Sequence, residues 1–461
     1  MKKLLFFSFV CFSFAIFAQY QVGHTTITFN DPTRTGGYGS GGGTGRQIQT
    51  EVYYPANTAG DNVAVASGQF PVITFGHGFA MAWDAYSNIW QRYAAMGYIL
   101  AFPRTEGGTI APPPVHYQFA LDLRLVSQKV LALNTNSSSI FNGKIMQKSG
   151  IMGHSMGGGA SIVAASGNTN IDAVIGLAPA ETNDTSAIAK ATGVSVPALI
   201  FSGSVDAATP PADHHIPIYN NLGSSCKNFV SIIGGGHCYF GVDNFICNAG
   251  EGSSNITITR QEQQDRTYAI LDPWLDFILR GNCDSYNAFQ TAMNGTTGTV
   301  NQSTCPSLAP VSITVNNSLL TANSTGTPLS YQWFLNGSPI SGEINQTLSV
   351  TQNGSYTVEV TYSFGCATSS AYVYTNGTSG IIELKNAVKI YPNPVKSTLT
   401  VDFSISGDKK ILISDINGRE ILKTSTELNT LNLDCKELKP GYYLLNSEIN
   451  GANCKTQFIK E

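Results

Sequence analysis

Between Thr25 and about Gln290 the chain alternates short apolar runs with stretches whose apolar residues recur at helical spacing. Gln47–Tyr54, Pro71–Phe75 and Tyr98–Phe102 read as strands, as do Ala173–Leu177, Val196–Phe201 and Asn228–Ile233. Ala82–Met96 carries Tyr86, Ile89, Trp90, Tyr93 and Ala94 on one helical face, and Gly97 follows as a cap. Tyr117–Asn134 repeats the pattern with Phe119, Leu123, Val126, Val130 and Leu133. A last helix is expected over Gln261–Leu279, interrupted at Pro273, where the backbone lacks a donor. Continuous apolar strands alternating with helices imply an α/β domain, residues 19–290, with a doubly wound, mainly parallel sheet covered on both faces.

The pattern changes near Thr291. Residues 291–310 are rich in Gly, Thr, Asn and Ser and read as a linker. From 311 to 376 the period drops to two, in Ser312–Val315, Ser330–Phe334, Leu348–Val350 and Tyr356–Val360. A second short linker, Asn376–Gly380, precedes a further set of strands over 381–461. Two small all-β sandwich domains are therefore expected after the α/β domain.

Composition resembles that of many extracellular proteins. Charged residues make up 12% of its 461 residues, against about 25% in an average globular protein. The net charge of −4 argues against nucleic acid, which calls for a basic stripe. Met1-Lys2-Lys3, the apolar run Leu4–Phe17 and Ala18 read as a signal peptide over 1–18. No later run is long enough for a transmembrane helix. Once Cys11 leaves with the leader, eight cysteines remain, an even number that favours disulfides in an exported chain. No paired Cys-x-x-Cys spacing supports zinc, and neither metal nor cofactor is expected. Cys238 and Cys247 are expected to pair across a short loop beside His237. Cys226–Cys283 and Cys435–Cys454 are weaker expectations, with Cys305 and Cys366 unassigned.

The candidate chemistry starts at Gly153-His154-Ser155-Met156-Gly157. A strand running into Gly-x-Ser-x-Gly and then small residues describes a nucleophile elbow, with Ser155 Oγ at the tip. A serine alcohol needs a base, and the base needs an acid to fix its tautomer. Strand 196–201 runs into Gly203-Ser204-Val205-Asp206, and strand 228–233 into Gly234-Gly235-Gly236-His237. Both candidates follow the carboxyl ends of strands, where ligand groups gather in a parallel sheet. Ser155, Asp206 and His237 are therefore the expected catalytic set. Asp213 is the rival acid, on an expected helix Ala212–Asn221 that it shares with His214 and His215, both read as solvated surface. His154 reads as a packing residue and His77 as ordering its own loop, while His24 and His116 have no evident partner. Backbone N–H groups of Met156 and Phe79 are the expected oxyanion donors. Phe79, Trp83, Tyr239 and Phe240 fall on loops bordering this edge and are expected to wall an apolar cleft.

Gly-His-Ser-Met-Gly-Gly-Gly-Ala, Asp206 followed by Ala-Ala-Thr-Pro, Tyr219-Asn220-Asn221-Leu222 and Gly236-His237 resemble bacterial cutinases and polyester hydrolases of the α/β-hydrolase superfamily. They stand beside platelet-activating-factor acetylhydrolase-like and chlorophyllase-like enzymes. The resemblance spans about 45–285. It implies a secreted serine esterase acting through an acyl-enzyme, with an ester, small or polymeric, as partner. Phe79 stands where polyester cutinases usually carry Tyr, and Ala180 where they carry the Trp that grips the acyl side. Tyr-x-Trp, Asn336-Gly337 and Gly354-x-Tyr-x-Val resemble immunoglobulin-like modules of secreted bacterial proteins. Tyr391-Pro392-Asn393-Pro394, Asp415-x-x-Gly418-Arg419 and Leu438-x-x-Gly441-x-Tyr443 resemble the C-terminal sorting domain of type IX secretion cargo. That resemblance implies the type IX machinery as a partner, passage through the periplasm of a Gram-negative bacterium, and a secreted or surface-attached product. Lipase, acetylhydrolase or peptidase chemistry would use the same triad, and a silent binding or adhesion protein would be expected to lose one of its members.

Overall fold

In the computed structural model the described residues are 20–107, 113–252, 255–375, 388–415, 418–449 and 452–461. The expected leader and the linker at 376–380 lie outside them. The chain divides into two compact units, residues 1–308 with 363–366, and 309–362 with 367–461.

The first unit is built on a mixed sheet of 11 strands. Its main members are β1 (Gln21–Asp31), β2 (Arg46–Ala56), β3 (Phe70–Gly76), β4 (Ile99–Pro103), β5 (Ile145–His154), β6 (Ala173–Leu177), β7 (Ala198–Gly203), β8 (Lys227–Ile232) and β9 (Thr299–Thr304). They lie in the order β9-β8-β7-β6-β5-β3-β4-β2-β1. Six central strands, β8 to β4 in that order, are mutually parallel. At one edge β2 pairs antiparallel to β4 and β1 antiparallel to β2, and at the other β9 pairs antiparallel to β8. β3, β4, β6 and β7 are buried along their whole length, which is why they carry unbroken apolar runs rather than alternation.

Helices α1 (Ser87–Ala95), α2 (His116–Ala132), α3 (Met156–Ala165), α4 (Ala187–Ala191), α5 (His215–Asn221), α6 (Phe245–Gly250), α7 (Arg260–Arg280) and α8 (Cys283–Gly295) connect the strands. α7 starts on a capping box between Thr259 and Glu262 and ends on Gly281 in the left-handed region. The expected break at Pro273 does not occur. Buried Ile270, Leu271, Trp274 and Leu275 clamp both sides of the proline, so packing outweighs one missing backbone hydrogen bond.

The expected linker is also largely structured. Residues up to 295 belong to α8, and 299–304 form β9, paired along β8 from Lys227–Thr304 to Ile232–Thr299. This strand escaped the pattern because, at an exposed edge, five of its six residues are polar. Its register also redirects the disulfides. Cys226, next to Lys227, meets Cys305, next to Thr304, and Cys283 is left to bond Cys366. Cys238–Cys247 forms as expected. Cys435–Cys454 does not: Cys435 Sγ faces Leu433 O at 3.6 Å, and Cys454 Sγ faces Thr456 Oγ1 at 4.0 Å.

The second unit is all β. A three-stranded sheet (Ser312–Asn316, Leu319–Asn323, Thr347–Ser349) and a five-stranded one including Ser330–Leu335 and Gly354–Tyr362 account for 312–374. Trp333 is fully buried there, its indole N–H donating to Asn345 O at 2.9 Å. Residues 388–460 add a three-stranded and a four-stranded sheet around Leu399, Val401, Ile411, Leu445 and Phe458. Among the described residues no helix is long and apolar enough to cross a membrane.

Candidate active site

β5 ends at His154, and Ser155 forms the link to α3 with φ 56° and ψ −122°. A non-glycine residue held there is strained, and the surrounding contacts hold it. The glycines on either side make the close approach feasible. A Cβ on Gly153 would stand 2.2 Å from Gly157 O, and one on Gly157 2.1 Å from Gly76 O on β3. Ser155 N–H donates to Leu177 O at 3.0 Å, and Ser155 O accepts from Ala180 N–H at 2.9 Å, so the elbow is tied to the end of β6.

Asp206 lies in the turn after β7 and His237 in the loop after β8, both buried. His237 Nδ1 is 2.7 Å from Asp206 Oδ2. Burial alone would raise the Asp206 carboxyl. The hydrogen bond from His237, the neighbouring imidazoles and the Thr209 N–H outweigh burial and hold it below the usual carboxylate range. A carboxyl lowered by folding stabilises the folded state above its unfolded value, and that contribution fades as pH falls through the lowered one. Asp213, the rival acid, is exposed on a turn, because the expected helix Ala212–Asn221 begins only at His215.

His154 does more than pack. Its Nε2 lies 3.0 Å from His237 O, its Nδ1 2.9 Å from Tyr86 Oη, and its ring centroid 4.6 Å from that of His237. Tyr86 Oη in turn accepts the Gly78 N–H at 2.8 Å. Donors and acceptors match if His154 carries its proton on Nε2, and burial keeps the ring neutral. The chain of bonds joins the loop holding Phe79 to the loop holding His237. It also occupies the Gly78 N–H.

Met156 opens α3, where the first N–H groups have no helical acceptor. Phe79 is 44% exposed. Trp83 donates from Nε1 to Tyr53 Oη at 3.0 Å and lies under the Arg104 guanidinium at 4.2 Å. It lines a cavity of about 220 Å³ with Tyr38, His77, Met81 and Arg104. Ala180 is half-buried beside the elbow, and Tyr239 is half-buried under Arg260 at 4.4 Å. Phe240 departs from expectation. It is 2% exposed and sits in the core 6.1 Å from the His154 ring, so it backs the site instead of walling a cleft. Aromatic side chains on a short loop turn inward when a core pocket is open to them, and sequence position alone does not distinguish the two.

Three further residues escaped the sequence reading. The buried Glu251 carboxylate accepts the His237 N–H and, at 2.9 Å, the Cys238 N–H, fixing the backbone of that loop. His215, expected on the surface, is fully buried against Ser202 and Thr209. Thr209 Oγ1 lies 2.9 Å from both Asp206 Oδ2 and His237 Nδ1. His214 is not simply solvated either, since its Nδ1 accepts the Glu181 N–H at 2.8 Å. His24 and His116 have partners as well. His24 bridges Glu51 and Asp61 at 2.9 and 2.8 Å, and His116 Nδ1 accepts the Asn183 N–H at 3.3 Å.

Residues 18–253 match a family model described as PET hydrolase-like, and 389–461 one described as a secretion system C-terminal sorting domain. Cutinase est1 of Thermobifida alba is 29% identical over 209 residues, 45% of this chain and 61% of its own. A bis(hydroxyethyl) terephthalate hydrolase of Streptomyces coelicolor is 27% identical over 213 residues, 46% and 58% respectively. Cutinase 1 of Thermobifida cellulosilytica is 28% identical over 218 residues, 47% and 72%. The chain thus spans about six tenths of the length of the first two.

Proposed function

The chain belongs to the PET hydrolase-like family, and from that premise we propose that it is a secreted carboxylic ester hydrolase working by a Ser155–His237–Asp206 acyl-enzyme mechanism. In this reading its sheet is the doubly wound α/β-hydrolase sheet, and the two downstream β modules are small sandwiches, the first immunoglobulin-like. The observation that supports the reading is the 2.7 Å bond between His237 Nδ1 and Asp206, together with a strained serine on a strand-to-helix elbow in the same unit. That bond leaves His237 Nε2 as the base. His237 takes the Ser155 proton as Oγ attacks the ester carbonyl, and Met156 and Phe79 N–H groups stabilise the oxyanion. His237 then returns the proton to the departing alcohol, and water repeats the sequence to release the acid. A screen of p-nitrophenyl esters by chain length, with Ser155→Ala as control, tests this.

Small aromatic diesters and short soluble esters are the proposed substrates, in preference to polymer film. Phe79 and Tyr239 offer aromatic surface, but at Ala180 a Trp-sized platform is missing. Such a contact contributes about 0.5–1.5 kcal/mol beyond buried area, up to about tenfold in rate if felt in the transition state. Ala180→Trp is therefore expected to raise release from an aromatic polyester film more than butyrate-ester turnover. If the wild type already degrades film as readily as it cleaves the butyrate ester, Ala180 is not limiting.

The sorting tail implies export to the cell surface or medium, and we assign the route to type IX secretion across the periplasm of a Gram-negative bacterium. Molecules recovered outside the cell should lack the segment from about Ile381 onward. Intact-mass measurement finding the whole C-terminus on most of them would contradict that assignment.

A further inference from the structure

Behind the Asp206–His237 pair runs a line of buried hydroxyls and one buried imidazole. Ser202 Oγ is 2.8 Å from His215 Nδ1, His215 Nε2 is 3.0 Å from Thr209 Oγ1, and Thr209 Oγ1 is 2.9 Å from Asp206 Oδ2. All four residues are buried, and His215 completely. The acceptor-only carboxylate fixes the direction of every bond. Thr209 has one proton, and Asp206 Oδ2 takes it. Thr209 Oγ1 must then accept from both His237 Nδ1–H, at 2.9 Å, and His215 Nε2–H. His215, protonated on Nε2, presents a bare Nδ1, which receives the Ser202 O–H. One neutral tautomer satisfies the whole line. Burial pushes His215 down to about 3, so the ring is neutral at any working pH.

We propose that Thr209 and His215 are positioning residues that set the strength of the acid in the triad, a role resting on the proposed esterase mechanism. The Thr209 hydroxyl does two things at once. It donates to Asp206, spreading the carboxylate charge, and it shares the His237 Nδ1–H, loosening the bond between His237 and Asp206. His215 holds the hydroxyl in the orientation that does both, since its N–H occupies a lone pair that would otherwise let the rotor turn. The Thr209 backbone adds a fixed donor to the other carboxylate oxygen, N–H to Oδ1 at 2.7 Å. The other titratable groups facing this pair are His154 from the end of β5, Glu251 from beyond α6 and His214 ahead of α5. None of them touches Thr209 Oγ1 in the hydrogen bonds of the described residues.

Thr209→Val keeps the shape and removes the hydroxyl. A carboxylate with one donor fewer holds an imidazolium more tightly, so the acid limb of kcat/KM should move to higher pH. In substrate-free protein, the low-field proton resonance of the His237–Asp206 bond should move further downfield. Thr209→Ser, which keeps the hydroxyl, should restore the wild-type profile and resonance. His215→Phe should move both in the same direction by less, and it carries the test if Thr209→Val does not fold. A folded Thr209→Val or His215→Phe protein whose acid limb and resonance both match wild type would overturn the proposal, whatever its melting temperature. The resonance needs no turnover, so a wild type inert toward every ester would defeat the esterase reading while the resonance still decides the role of Thr209.

Discussion

Ser155→Ala should abolish ester turnover, by on the order of 10⁴–10⁶-fold, while the protein melts where the wild type does. The size of the loss follows from how a triad works. Its members act as one unit, so removing the nucleophile forfeits the benefit of the base and the acid together. What survives is the contribution of binding and of the oxyanion donors, none of which is lost with a hydroxyl. Stability should be spared because Ser155 is held through its backbone, to Leu177 O and from Ala180 N–H, and alanine keeps both bonds. The positive φ at 155 remains a strain for alanine, as it is for serine. The measurement is a progress curve on p-nitrophenyl butyrate with enough variant to detect a 10⁵-fold reduced rate, beside a thermal melt. Near-normal turnover by purified Ser155→Ala, free of wild-type contamination, would remove Ser155 as nucleophile. A variant that melts much lower would show that the hydroxyl serves the fold.

The parts of this molecule that were legible in its sequence are those where one physical demand dominates. Buried parallel strands must be apolar throughout, so the central sheet could be read from its runs. The elbow at Ser155 could be read because only glycine fits at 153 and 157, where added Cβ atoms would stand 2.2 and 2.1 Å from backbone oxygens. Asp206 and His237 were marked by the glycines before them and by their place after strands. Where two demands compete, the text is ambiguous. β9 needs only backbone pairing at an exposed edge, so its polar residues looked like linker, and the Cys226–Cys305 bond that depends on its register was missed with it. His215 and Phe240 looked like surface and cleft residues because polarity or loop position suggested it. Their burial is decided by partners outside their own element, Ser202 on β7 and Thr209 on the turn after it for one and the distant His154–Tyr86 region for the other. Glu251 carries no local sign that its carboxylate receives the His237 backbone.

Asp122→Ala should strongly destabilise the α/β unit while leaving the proposed catalytic residues in place. Asp122, on α2, is fully buried. Arg46 Nε lies 2.9 and 3.0 Å from its two oxygens and Nη2 2.8 Å from Oδ2, while Arg34 Nη2 is 2.7 Å from Oδ1. Burial would lower the Arg46 guanidinium, but its bonds to Asp122 and Glu106 outweigh that and raise it above its ordinary value, so it keeps its charge. Removing the carboxylate leaves that buried cation with Glu106 alone. Breaking a buried pair from one side costs about 3–5 kcal/mol, or about 6–20 °C in melting temperature for a domain of this size. Activity should suffer as well, through a traceable route. Asp122 Oδ2 accepts the Thr105 hydroxyl at 2.6 Å, Thr105 O lies 2.9 Å from His77 Nε2, and His77 precedes the Gly78–Phe79 turn that carries the proposed oxyanion donor. Loosening Thr105 therefore loosens that donor, which acts in the transition state and not in substrate binding. At a temperature where the variant is fully folded, kcat should fall several-fold with KM little changed. Thermal unfolding and steady-state kinetics at about 15 °C separate the two effects. A melt within about 2 °C of wild type would mean that Glu106 alone compensates the Arg46 charge. An unaltered kcat in a destabilised protein would break the proposed link from α2 to the oxyanion loop.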